Sequence, residues 1–180
     1  SGSDTTSEAI YNLEEGYRWS YASFLTTSPS LFHIAWMDNR ADKYHIWYGN
    51  FDPITGVGLD LTAQRVTNFY TTQDLPTFRY RFHPNAQWPS VWNVGDTITV
   101  FWTEFRDDDF GILESHILMR RSFDGGSSWS DFIVADDDTI GIHLNKWQSI
   151  SMSNDGTIWV LYMSNREEDT YNLYLTKLGS

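Results

Sequence analysis

ITVFWTEFR, residues 98–106, alternates its side chains with a period of two and ends on Trp102, Glu104 and Arg106, spaced two apart. A period of two sends alternate side chains to opposite faces, which is the pattern of a β-strand. The same spacing recurs in FHIAWMDNR (32–40), with Trp36, Asp38 and Arg40, and in IWVLYMSNR (158–166), with Tyr162, Ser164 and Arg166. The copies lie about 60 residues apart. A second alternating run follows each one: YHIWYGNF (44–51), SHILMRRSF (115–123) and YNLYLTKL (171–178). An earlier run opens on tryptophan before each: WSYASF at Trp19, WPSVW at Trp88 and WQSISM at Trp147. Shorter fourth strands fit TAQRVTN (62–68) and DFIVADD (131–137).

Helical periodicity is absent almost throughout. Four short strands in each unit of about 40 to 60 residues predict an all-β fold of β-propeller blades. Three blades are expected: 17–70, 71–138 and 139–180, the last lacking its fourth strand, with 1–16 as a spare N-terminal strand.

Composition agrees with a folded domain and narrows its partners. The chain has 180 residues, 41% hydrophobic and 20% charged, enough for one core of useful size. Aromatics reach 17%, more than a core of this size needs, and suit both sheet packing and sugar-binding surfaces. A net charge of −12 opposes binding to nucleic acid. No apolar run is long enough for a membrane helix. The absence of cysteine excludes disulfides, thiol catalysis and Cys-based zinc sites. The opening Ser1-Gly2-Ser3 reads as a cloning remnant, so a native leader is not visible. Cysteine usage leaves the compartment open, and a secreted or cell-surface location is slightly favoured.

SFDGGSSW (122–129) adds a family resemblance. Ser122, Asp124, Gly126, Ser128 and Trp129 resemble the Asp-box of the sialidase-like (BNR) propellers, with Ser where Thr is common. The stretch falls between the third and fourth strands of blade 2, where that family carries it. NFDPITG (50–56) is a worn copy, with Asp52 opposite Asp124. The resemblance implies a structural turn at the end of the propeller away from the ligand, not a catalytic group.

Three blades leave a ring unclosed, since propellers use about four to eight. SEAIYNLEEGY (7–17) is a spare strand, and it could complete blade 3 of a second copy. Two chains would then form a six-bladed ring as a head-to-tail homodimer. Half of a longer protein, or a different partner chain, remains the alternative.

Ligands are expected at the end opposite the Asp-box turn. Arg40, Arg106 and Arg166 gather there at the ends of the second strands. They invite comparison with the sialidase arginine triad, because guanidinium forks suit planar anions. A repeated acid–Arg pair on one strand face is more often a device that joins blades. Arg79, Arg81 and His83 form a basic strip in the segment before Trp88. His83 with Trp88, and His143 with Trp147, look like equivalent His-and-Trp elements that could stack and hydrogen-bond a sugar, or act as structural latches. His33, His45 and His116 sit within strands and read as packed. The acidic runs Asp107–Asp109 and Asp136–Asp138 lack the spacing of a calcium loop and read as solvated loops. No cofactor or metal is implied.

The resulting expectation is a lectin-like module that recognises a glycan or small anionic ligand. The alternatives are a sialidase-like glycoside hydrolase and a purely structural assembly module. The sialidase resemblance implies an Arg-Ile-Pro motif that this chain lacks, and a Tyr–Glu nucleophile pair that cannot be assigned. No catalytic residue is therefore named.

Overall fold

The structure, a computed structural model, describes residues 19–28, 31–38, 44–52, 63–67, 85–107, 113–136, 143–153, 155–167 and 170–178. These residues are all-β, with no helix among them. They form eleven strands: β1 (Trp19–Ser28), β2 (Leu31–Asp38), β3 (His45–Phe51), β4 (Gln64–Arg65), β5 (Asn85–Val94), β6 (Thr97–Asp107), β7 (Leu113–Ser122), β8 (Ile133–Val134), β9 (Asn145–Met152), β10 (Ile158–Glu167) and β11 (Thr170–Leu178). Three small antiparallel sheets result, β1-β2-β3-β4, β5-β6-β7-β8 and β9-β10-β11. Each follows chain order, as short turns between alternating runs dictate.

The alternation read from the sequence decides which side chains are buried. In β6, Val100 and Trp102 face the first sheet, where they join Ala35, Met37, Ile46 and Tyr48. Phe101, one residue out of step, faces the third sheet and meets Val160 and Tyr162. The middle sheet is thus apolar on both faces, as a sheet packed between two others must be. Phe101 is fully buried at the second of these contacts. Truncating a side chain of that kind to alanine costs about 3–5 kcal/mol.

Across the sheets, β1 lies against β5 and β5 against β9, so the first strands of successive sheets adjoin. The β7–β8 turn and the start of β6 lie at one end of the strands, because Ser122 pairs with Ile98. The starts of β5 and β9 lie at the other end, because Ala86 pairs with Glu104 and Asn145 with Ser164.

The turn at 122–129 closes on its own side chains. Asp124 Oδ1 accepts from Ser128 N–H and Ser122 Oγ–H, both at 2.8 Å, and its Oδ2 accepts from Ser128 Oγ–H at 2.6 Å. Gly126 N–H donates to Ser122 Oγ at 2.7 Å. The Ser128 hydroxyl and amide, followed by Ser122, hold the Asp124 carboxyl down at about 2. Trp129 then packs edge-on against Tyr48 of the first sheet, with ring centroids 5.2 Å apart. The turn therefore also joins two sheets.

Candidate functional site

The acids of the repeated strand have a partner that the sequence reading did not assign. Trp36 Nε1–H donates to Asp38 Oδ2 at 2.8 Å, and Trp102 Nε1–H donates to Glu104 Oε2 at 3.2 Å. Both acids are buried. Side chains two apart on a strand share a face, so the spacing lets each carboxylate satisfy a buried indole N–H. In the third sheet Tyr162 replaces the tryptophan and Ser164 replaces the acid. Arg166 there lies over the Tyr174 ring, 3.6 Å from its centroid, and its Nη2 donates to Tyr162 Oη at 3.2 Å. Arg166 is thus packed into its own sheet.

The remaining nominated cations divide by position. Arg106 is the penultimate residue of β6, opposite Glu114 in the register. Arg40, Arg79, Arg81 and His83 lie outside the described residues. The His143 carbonyl accepts Ser115 N–H at 2.9 Å, which ties the entry to β9 onto β7.

Trp88 and Trp147 are brought together. Both have positive φ, 52° and 55°, in the left-handed region that bulky side chains rarely adopt. Each sits in a bulge. Trp88 and Pro89 oppose the single residue Trp102, and Trp147 and Gln148 oppose Tyr162. Trp19 differs: it pairs directly with Asp38, and the irregularity of its strand falls after it. The three tryptophans that open first strands are therefore not equivalent, because register places only two of them inside a bulge.

The two bulges are tied to each other. Gln148 Nε2 donates to the Trp88 carbonyl, and its Oε1 accepts Thr103 Oγ1–H at 2.7 Å. The Trp88 and Trp147 rings stand 6.0 Å apart, and Phe105 meets Trp88 edge-on at 5.3 Å. Trp147 remains 54% exposed despite its cost in backbone strain. Lys146 Nζ lies 4.5 Å from the Trp147 ring centroid and 4.1 Å from that of Tyr171. The result is an open aromatic surface edged by an ammonium group, at the end of the strands away from the 122–129 turn. Lys146, Gln148 and Tyr171 were not legible as site residues, because strand alternation puts Lys146 and Trp147 on opposite faces. Only the bulge turns them together.

A second polar cluster lies between β7 and β9. His116 is buried, with Nε2 2.8 Å from Glu114 Oε1 and Nδ1 3.2 Å from Asp136 Oδ1. Burial alone would lower its pKa, but the hydrogen bonds and charges of Asp136 and Glu114 outweigh it and push the value up to about 9. Asp136 Oδ2 also accepts Ile117 N–H at 2.7 Å and Asn145 Nδ2–H at 3.2 Å. Asp136 is therefore buried and bonded, not the solvated loop residue its acidic run suggested. In the first sheet His45 and Thr67 occupy the matching places, 3.0 Å apart. No group of three His, Cys, Asp or Glu able to hold a metal occurs among the described residues.

Comparison with known proteins adds little to this geometry. No family profile and no curated protein matches the chain. Among solved structures, a mutant of Trypanosoma rangeli sialidase displaying trans-sialidase activity aligns at 10% identity and a TM-score of 0.42. The alignment covers 89% of this chain and 31% of that one, so the chain spans about a third of the sialidase. An endo-arabinase from Bacteroides thetaiotaomicron aligns at 12% identity and a TM-score of 0.30, over 87% of this chain and 74% of its own.

Proposed function

We propose that the chain is a carbohydrate-binding, lectin-like propeller module whose ligand stacks on the Trp88–Trp147 surface. The observation that carries this reading is the paired strain. Two sheets hold a tryptophan in the left-handed region at the same point, at a cost of about 1–3 kcal/mol each. Neither core packing nor strand pairing needs a half-exposed Trp147 there. An indole face offers an apolar plane to the C–H face of a sugar ring, while Lys146 offers hydrogen-bond donors at its edge.

Binding is favoured over hydrolysis by what the nearby acids already do. Glu104 accepts an indole N–H, and Glu114 faces the His116 imidazolium. A general acid needs a carboxyl free to give its proton to the substrate.

A glycan array probed with the wild type and with Trp147→Ala tests the proposal, alongside a panel of fluorogenic glycosides. The expected result is retention of a defined glycan class by the wild type, loss of that signal in Trp147→Ala, and no release of fluorophore. Glycan retention unchanged in Trp147→Ala would contradict the site. Turnover of a glycoside would replace the lectin reading with that of a hydrolase.

A further inference from the structure

The first two sheets finish their outer edge in the same way. In the first, β4 pairs with Trp47 and Tyr48, and in the second, β8 pairs with Leu118 and Met119. Each short strand then runs into a small apolar residue and an oxygen-bearing one, Val66-Thr67 and Ala135-Asp136. Val66 N–H donates to the Ile46 carbonyl at 2.8 Å, and Ala135 N–H to the Ile117 carbonyl at 2.7 Å. In return Thr67 Oγ1 accepts Ile46 N–H at 3.1 Å, and Asp136 Oδ2 accepts Ile117 N–H at 2.7 Å. The same two side chains each meet a histidine, His45 at 3.0 Å and His116 at 3.2 Å. One clasp, used twice, thus satisfies both backbone groups of a third-strand isoleucine.

The third sheet carries the receiving half of this clasp. Leu173 lies opposite Met163, as Ile46 lies opposite Met37 and Ile117 opposite Thr103. Asn172, opposite Ser164, takes the place of the two histidines. Ile46, Ile117, His45 and His116 are buried, whereas Asn172 and Leu173 are exposed, Leu173 at 69%. Hydrogen bonding alternates along an antiparallel strand, so Leu173 turns its N–H and C=O outward as the two isoleucines do. Among the described residues no strand lies beyond β11. An edge of this kind is a template for a further strand.

The clasp also specifies what that strand must carry. A small apolar residue brings its N–H to the Leu173 carbonyl without crowding the leucine. An Asp or Thr directly after it accepts Leu173 N–H, with the Asn172 amide as a second donor. In the same register, the residue four places before the small one comes beside Lys177. That side chain is one of only three lysines in a chain of net charge −12. An acid across from it is favoured, and a cation is not.

We propose that β11 takes up an extended strand from a separate protein chain by β-augmentation. The strand has the form of an acid, any three residues, Ala or Val, and then Asp or Thr. The chain's own DFIVADD (131–137) has that form, and a peptide copy of it serves as the probe. The proposal does not depend on the ligand reading of the Trp88–Trp147 surface.

Fluorescence anisotropy of a labelled DFIVADD peptide, titrated with the 180-residue chain, tests it. Saturable binding is expected. Replacing the residue copied from Asp136 by Ala, or N-methylating the one copied from Ala135, should weaken it at least about tenfold. Leu173→Pro removes only an outward N–H of an edge strand, so the β-sheet circular dichroism should be kept while binding is lost. No saturable binding at millimolar concentration, or binding indifferent to N-methylation, would overturn the proposal. So would a wild type of about twice 20.9 kDa that Leu173→Pro turns into single chains, since the strand would then come from a second copy.

Discussion

Gly125 and Gly126 stand side by side in one turn, yet they do different work. Both have positive φ, but a Cβ on Gly125 would meet open space, whereas one on Gly126 would stand 2.1 Å from Tyr48 Cε1. Gly125→Ala therefore incurs only backbone strain, about 1–2 kcal/mol. Gly126→Ala adds displacement of a fully buried ring that also carries Trp129 and a 2.6 Å contact to His33. Urea denaturation is expected to show the second variant less stable than the first by at least about 1 kcal/mol. Trp147 offers the converse test. Trp147→Gly removes a strained φ without emptying a core, so stability should hold or rise, by up to about 1 kcal/mol, while glycan retention is lost. The turn was legible because its donors and acceptors all lie within eight residues. The strained tryptophans were not, because Trp is a good strand residue and only the register between two strands reveals the bulge.

At the level of the strand, Trp102 and Glu104 form a unit that can be exchanged whole. Glu104→Ser leaves a buried indole N–H short of its acceptor and should cost about 1–3 kcal/mol. Trp102→Tyr/Glu104→Ser copies the third sheet, and a double-mutant cycle in thermal unfolding should show it recovering part of that loss. Sequence spacing correctly placed the acid and the aromatic on one face. The spacing shows the charge of each acid, whereas the neutral N–H of a buried ring two residues earlier becomes a visible need only once the ring's burial is known. His116 shows the same limit over a longer distance, since Asp136 lies twenty residues on and reads locally as one of three solvated acids. Its pKa is raised from 6.5 to about 9, so the folded state binds the proton more tightly than the unfolded one. The stabilisation is complete below about pH 6.5 and disappears as pH rises through 9. Stability measured from pH 6.5 to 9.5 should fall in the wild type, and that slope should flatten in His116→Asn.

Over the whole molecule, the repeat was the most legible feature. Three copies of one alternating strand, each with its neighbours in fixed order, dictate three sheets stacked in sequence, and the two interior interfaces follow from which residues fall in odd and even places. The proposed surface was legible only in part. Trp88 and Trp147 were nominated for their recurrence and do meet, while Arg166, nominated on the same grounds, stacks on Tyr174 within its own sheet. The difference is physical: an exposed ring gains little from its own sheet, whereas a guanidinium beside two tyrosines gains stacking and a hydrogen bond.

If the strained pair is where a sugar stacks, the indole N–H resonances of the nine tryptophans report on it directly. Assigned by single substitution, they would be followed by NMR while the oligosaccharides retained on the array are titrated in. The Trp88 and Trp147 signals are expected to move together and saturably, while those of Trp36 and Trp102, buried and bonded to Asp38 and Glu104, stay in place. Saturable shifts confined to other tryptophans, with Trp88 and Trp147 still, would contradict it.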